Sequence, residues 1–125
     1  FYRIVIEWIL GCEIPYKTMI GSNLTLYHGH STVINDSSII GTGCTIRHCT
    51  TIGNKKTKHG FSMSPIIGDY VDIGSNVCLI GPITIGDSVL IGSGSIVVKN
   101  IPSNVTVVGN PARIIRVQHE DTISS

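Results

Sequence analysis

Charge is scarce in this chain. Asp, Glu, Lys and Arg make up 14% of its 125 residues, and the formal net charge is +1. No basic surplus exists to hold a polyanion, so nucleic acid is not an expected partner. Aromatic residues are also few, at 6%. Cysteines number four (Cys12, Cys44, Cys49 and Cys78), with no CxxC pair and no zinc-ligand spacing. They read as free, partly buried thiols in a reducing compartment, which makes a cytoplasmic location the expectation. No apolar run approaches the roughly 18 residues that span a bilayer. The apolar opening segment is interrupted by Arg3 and Glu7 and lacks a basic n-region and an A-x-A site, so it does not read as a signal peptide. Residues 1–11 read as a short helix or cap. The chain begins at Phe1 rather than Met, which points to a native start further upstream.

What is abundant is Ile, Val and Gly. Hydrophobic residues make up 42% and glycines number 14. Branched aliphatics favour strands and glycines mark corners, so the chain is expected to be all-β with many tight turns. An internal repeat sharpens this. Ile14, Ile20 and Leu26 lie six apart; so do Ile34, Ile40, Ile46 and Ile52; so do Ile67, Ile73, Leu79, Ile85, Ile91 and Val97. Gly often follows, as at Gly21, Gly41, Gly68 and Gly86. Two residues earlier sits a small or β-branched residue, such as Thr32, Ser38, Cys44 or Val71. Six contains the strand period of two and does not fit the helical 3.6. The reading is a solenoid of short strands, with each repeat aliphatic pointing inward onto its equivalent in the next coil.

The rhythm breaks twice, and insertions in solenoids tend to carry function. Leu26 to Ile34 contains two extra residues around Tyr27-His28-Gly29-His30-Ser31. Ile52 to Ile67 leaves a basic loop over about 54–65. His28, at the first break, is the strongest catalytic candidate. Imidazole titrates near neutral pH and suits removal of a proton from a hydroxyl, a poor nucleophile until it loses one. A carboxylate that orients such a base improves it. Glu13 precedes inward Ile14 as Val33 precedes Ile34, so Glu13 and His28 are expected to meet at one edge of the prism, one coil apart. The bland alternative is a solvated surface pair.

The six-residue pattern resembles the hexapeptide-repeat acyltransferases. That resemblance implies a single-stranded left-handed parallel β-helix with three hexads per coil, over residues 12–115, followed by a tail over 116–125. Left-handedness is implied by the resemblance alone, since the usual crossover rule would suggest the opposite hand. Glu13 to Ile34 is similar to the first coils of serine acetyltransferases, whose catalytic His falls on His28 and whose Asp falls on Glu13. Gly92 to Arg113 is similar to their closing segment. The resemblance implies acetyl-CoA as acyl donor, a homotrimer with active sites at subunit interfaces, and cofactor contacts near Gly53, Gly74, Ser75, Gly92 and Ser93. Each of these glycines is also explained by a corner alone. Phosphates need cations, and Lys99, Arg113 and Arg116 are candidates.

The departures concern the acceptor. Where serine acetyltransferases carry Asp-Arg-His-Pro just before the hexad that follows the loop, this chain has Ser62-Met63-Ser64-Pro65, and Tyr27 replaces the Asp before the base. A desolvated amino acid needs charged partners, and those residues are gone. Glu13-Ile14-Pro15, Tyr27-His28-Gly29-His30 and Thr45-Ile46-Arg47-His48 look more like the colanic-acid type of acetyltransferase. The acceptor is therefore expected to be a saccharide hydroxyl in capsular or exopolysaccharide synthesis, with Tyr27, His30, Arg47 and His48 as candidate acceptor contacts. For Tyr27 the alternative is ordinary edge packing. Three alternatives stand beside this reading: serine O-acetylation in cysteine synthesis, a non-catalytic scaffold or glycan-binding β-helix, and a zinc site like that of the γ-type carbonic anhydrases. The His spacing of the last is missing, so no metal is expected.

Overall fold

The structure, a computed structural model, describes residues 12–13, 19–27, 32–34, 37–58, 60–61 and 63–118. Among these residues every regular element is a strand, most of two or three residues. They stack into three parallel faces of a triangular prism. Face A runs Cys12–Glu13, Thr32–Ile34, Thr51–Gly53, Cys78–Ile80 and Ile96–Val97. Face B runs Met19–Ile20, Ile39–Ile40, Ile66–Ile67 and Thr84–Ile85, extended by a parallel bridge from Ile85 to Ile101. Face C runs Thr25–Tyr27, Thr45–Arg47, Asp72–Ile73, Leu90–Ile91 and Val105–Gly109, closed by the antiparallel strand Ala112–Val117.

The repeat aliphatics form the core. Ile34, Ile40, Ile46, Ile52, Ile67, Ile73, Leu79, Ile85, Ile91 and Val97 are each no more than 1% exposed. The residue two before each one is inward as well: Thr32, Ser38, Cys44, Thr50, Val71, Val77, Val89 and Ser95 are all buried. Period two within a hexad thus fills the interior from two positions, and only the corner between strands is free to vary. Burial of each Ile contributes about 1.5–3 kcal/mol. Ile20 and Leu26, toward the N-terminal end, are only partly buried against this stack. Ile14 and residues 1–11, where a helix was expected, lie outside the described residues.

Two devices hold the corners. The first is a left-handed residue three before the inward aliphatic. Before face C these are Asn23, Gly43, Tyr70, Ser88 and Asn104; before face A they are Cys49, Asn76 and Gly94. The amides of Gly43, Tyr70, Asn76, Ser88, Gly94 and Asn104 donate to the corner one coil back, for example Tyr70 N to Thr42 O at 2.7 Å and Asn76 N to His48 O at 3.1 Å. The second is a glycine under a polar side chain. The carboxylate of Asp87 accepts from the amide of Asp69 at 2.7 Å, and that of Asp69 accepts from Thr42 at 2.8 Å. A side chain that folds back this way needs the residue beneath it to be bare. A Cβ on Gly68 would sit 2.8 Å from the backbone of Gly86, besides meeting the Asp87 carboxylate.

The expected loop at 54–65 contains a short antiparallel hairpin, Lys56–Thr57 against Gly60–Phe61. It lies outside the register, so the coil resumes with Ile52 aligned on Leu79. The inward Cys44 is fully buried and its thiol donates to Gly68 O at 3.2 Å. Burial pushes this thiol above its ordinary value of 9.0.

Two outcomes follow for stability. Gly68→Ala should cost about 1–3 kcal/mol by overpacking backbone on backbone, whereas Gly53→Ala, whose Cβ would meet nothing nearer than 3.9 Å, should leave the urea midpoint nearly unchanged. For Cys44 the fold favours the protonated thiol. Its contribution is complete below pH 9.0 and is lost as pH rises beyond that toward the folded value. Urea melts across pH 8–10.5 (about these limits) should show a steeper alkaline decline in the wild type than in Cys44→Ala.

Candidate functional site at the edge between faces C and A

The register gathers Tyr27, Arg47, His48, Gly74, Ser75, Gly92 and Ser93 along one edge, while Gly53 closes the face A strand Thr51–Gly53 at its far end. Glu13 pairs with Val33 on face A, the one-coil relation expected from the sequence. On face C, Tyr27 pairs with Arg47. Because Ile46 aligns with Ile73 and Ile73 with Ile91, Gly74 and Gly92 continue the Tyr27–Arg47 row. The next row holds His48, Ser75 and Ser93, all at the turn from face C into face A. Ser75 and Ser93 touch: the Ser93 hydroxyl accepts from the Ser75 amide at 3.1 Å, and the two hydroxyls lie 3.3 Å apart. His28 follows Tyr27 directly in the chain. Its own position, and those of His30 and His59, lie outside the described residues, so the Glu13–His28 meeting is not among the described contacts.

The glycines separate by cause. A Cβ on Gly74 would lie 2.6 Å from the Ser93 amide nitrogen, and one on Gly92 would lie 2.9 Å from a Val108 methyl. Coil stacking accounts for both. Gly53 carries no such demand, because only Ile80 Cδ1, at 3.9 Å, is near. The bare backbone at Gly53 is therefore a choice that stacking does not force.

Arg47 is not a free cation. Its Nη1 donates to the Asp72 carboxylate and to Ile73 O, the latter at 3.1 Å. Its guanidinium carbon lies 5.7 Å from the centre of the Tyr27 ring. Sequence reasoning found Tyr27 and Arg47 but missed Asp72. The signal was present: once Ile73 is aligned on Ile46, Asp72 falls opposite Thr45 on the same outer face as Arg47. The loop insertion between those coils conceals that alignment.

Lys99 and Arg113 come together at the C-terminal end. With Val97, Val98, Ile101, Pro111 and Ala112 they line a cleft of about 250 Å³. Arg116 lies elsewhere, opposite Thr106 on the closing hairpin. Among the described residues no three His, Cys, Asp or Glu side chains converge in a way that would hold a metal ion. No helix among them is long and apolar enough to cross a membrane.

No protein-family profile matches the chain. Individual proteins do. The chain is 42% identical over 113 residues to WcaB of Escherichia coli K12, named for acetyl transfer in colanic acid biosynthesis; the match covers 90% of this chain and 68% of WcaB. Serine acetyltransferase 2 of Arabidopsis thaliana is 36% identical over 115 residues, covering 92% of this chain and 35% of that protein. The crystal structure of Neisseria gonorrhoeae serine acetyltransferase in complex with serine superposes with a TM-score of 0.84 at 33% identity, over 91% of this chain and 46% of that one. The chain belongs to the hexapeptide-repeat acetyltransferase family.

Membership makes it an acyltransferase and fixes the hand of the prism as left. It leaves the acceptor open, since the relatives carry names of both kinds. The chain spans less than half the length of these serine acetyltransferases. Within the family frame, the Arg47–Asp72 pair is an outer-face feature with side chains 36% and 42% exposed. At that exposure an ion pair contributes no more than about 1 kcal/mol. Arg47→Ala should accordingly move the urea unfolding free energy by less than about 1 kcal/mol. A loss several times larger would mark Arg47 as a structural residue rather than a site residue.

Proposed function

We propose that this chain transfers an acetyl group from acetyl-CoA to a hydroxyl of a saccharide, with His28 as general base and Glu13 orienting it. The observation that carries the reading is the Arg47 guanidinium, held by the Asp72 carboxylate and lying against the ring of Tyr27, the residue just before His28 in the chain. An aromatic ring and a guanidinium already paired with a carboxylate support a sugar acceptor, since a desolvated amino acid would need charged partners of its own. The match to WcaB over 68% of that protein's length supports the same acceptor class.

In the proposed reaction the imidazole takes the acceptor's hydroxyl proton as the oxygen attacks the thioester carbonyl carbon. The resulting oxyanion needs a donor, and a backbone amide at the edge would serve. Collapse breaks the carbon–sulfur bond, and the imidazolium returns its proton to the leaving thiolate. The products are an O-acetyl ester and free CoA. Pantetheine is expected to pass the bare backbone at Gly53 and the stacked Ser75 and Ser93, with phosphates toward Lys99 and Arg113. The cleft those two cations share supports that end of the assignment. A homotrimer with sites between subunits fits a prism this narrow. Met19, Ile39 and Ile66, in register on face B, are all exposed and give an apolar stripe to bury.

His28→Ala should lower turnover by about 10²–10⁴-fold while acetyl-CoA still binds by calorimetry; unchanged turnover removes His28 from the mechanism. Thiol release measured with L-serine and with neutral sugars separates the acceptor classes. Faster release with serine would establish the cysteine-synthesis reading instead. Gly53→Ala, harmless to the fold, should raise KM for acetyl-CoA and leave KM for the acceptor alone.

A further inference from the structure

Three residues on the outer side of face C act as one unit. Asp72 fixes Arg47 by its carboxylate, and Ile73 O accepts from the same Nη1 at 3.1 Å. The anchored guanidinium lies against the Tyr27 ring at 5.7 Å. Tyr27 is the in-register neighbour of Arg47 on the adjacent strand, and it is 52% exposed. A tyrosine turns about only two side-chain bonds, so a cation fixed beside it leaves the ring with little freedom. The ring then offers water a flat apolar surface with a polar rim, next in sequence to the proposed base. A pyranose has the complementary shape: a face of C–H bonds edged by hydroxyls.

The charge matters as much as the ring. An unpaired Arg is the usual partner of a carboxylate-bearing ligand, because its planar fork takes two oxygens at once. Here Asp72 already takes Nη1 and sets a negative charge beside the guanidinium. A second carboxylate arriving beside Arg47 would meet the negative charge of Asp72 and be repelled by it.

We infer that Asp72 is a positioning residue for acceptor choice: by holding Arg47 against Tyr27 it builds a platform for an uncharged sugar ring and turns away acceptors that carry a carboxylate. This rests on the sugar-acetylation reading above and adds a selection among sugars that the reading does not contain.

The test uses the whole chain with acetyl-CoA and two matched acceptor sets, methyl uronides and their neutral uronamides, which carry the same hydroxyls and differ only in the charge at C6, with methyl glycosides of neutral hexoses as further neutral acceptors. The wild type should acetylate a neutral uronamide in preference to its uronide. Asp72→Asn should raise KM for the neutral acceptor about tenfold, leave kcat and the KM for acetyl-CoA near wild type, and narrow or reverse the preference against the uronide. Asp72→Glu should restore much of the neutral-acceptor KM. Tyr27→Ala should give the same KM loss, and Tyr27→Ala with Asp72→Asn should lose little more than either alone, because the two residues act through one contact. Thermal melts of each variant keep a folding defect distinguishable from an acceptor defect. An unchanged acceptor KM in Asp72→Asn overturns the inference. So does an unchanged preference between uronamide and uronide, or fully additive losses in the double variant. A wild type that acetylates no pyranoside of either set overturns the sugar reading itself, whatever the variants do.

Discussion

Parallel stacking of one coil on the next governs everything else in this molecule. Each strand of two or three residues is too short to persist alone. It persists because its amides and carbonyls pair with the same hexad position one coil away, as in Gly21 N to Ile40 O, Gly41 N to Ile67 O and Gly68 N to Ile85 O, all within 2.9 Å. That pairing demands identical rise on all three faces. It also demands that each inward side chain fit between equivalents above and below, which is why the repeat position is almost uniformly Ile while the inward position two before it takes small or β-branched residues such as Thr, Ser, Cys and Val. A residue's address in its hexad therefore decides its chemistry: inward and apolar, outward on a face, or at a corner.

The same constraint explains which parts of the structure could be read from the chain. The inward aliphatics were legible because their spacing is arithmetic, and the pairing of Glu13 with Val33 followed from that spacing across a two-residue insertion. The edge gathering His48, Ser75 and Ser93 was legible for the same reason. Three features were not. Tyr70 and Cys49 adopt the left-handed conformation at φ 57° and 58°, a role normally signalled by Gly or Asn. Here the stacked hydrogen bonds of neighbouring corners impose it, and no local propensity announces it. The hairpin over 56–61 was hidden in a run of basic residues with no alternating pattern. Asp72 was missed because it is 25 residues from Arg47, a separation that means nothing until the loop is removed and the coils are aligned.

Glycine shows how one residue type carries two messages. Gly41, Gly68 and Gly86 are bare because the Asp or Ser of the next coil folds over them, and Gly74 and Gly92 because backbone or a valine methyl approaches. These positions are explained before any ligand is considered. Gly53 is not explained that way, and it stands where face A gives way to the hairpin. A sequence pattern alone cannot separate a glycine needed by the fold from one left bare for something else; the space a Cβ would occupy does.

The stacking rule also confines chemistry to few places. Inward positions are filled, and most outward face positions are paired in register with neighbours that fix their spacing. Reactive groups must then sit at corners or on insertions, where length can change without breaking the ladder. The two-residue insertion after Leu26 lies at the corner that carries His28, and the larger one after Ile52 lies beside Gly53. Relatives named for serine acetylation share this frame, so the frame itself does not choose the acceptor. What differs is the side chains that line the corner. In this chain the guanidinium of Arg47 is committed to Asp72 and to the ring of Tyr27. A cation used in this way has its charge offset, and a substrate carboxylate beside it would be repelled by Asp72. On the proposed sugar-acetylation reading, the acceptor is decided less by which charged residues are present than by whether they are already paired within the fold.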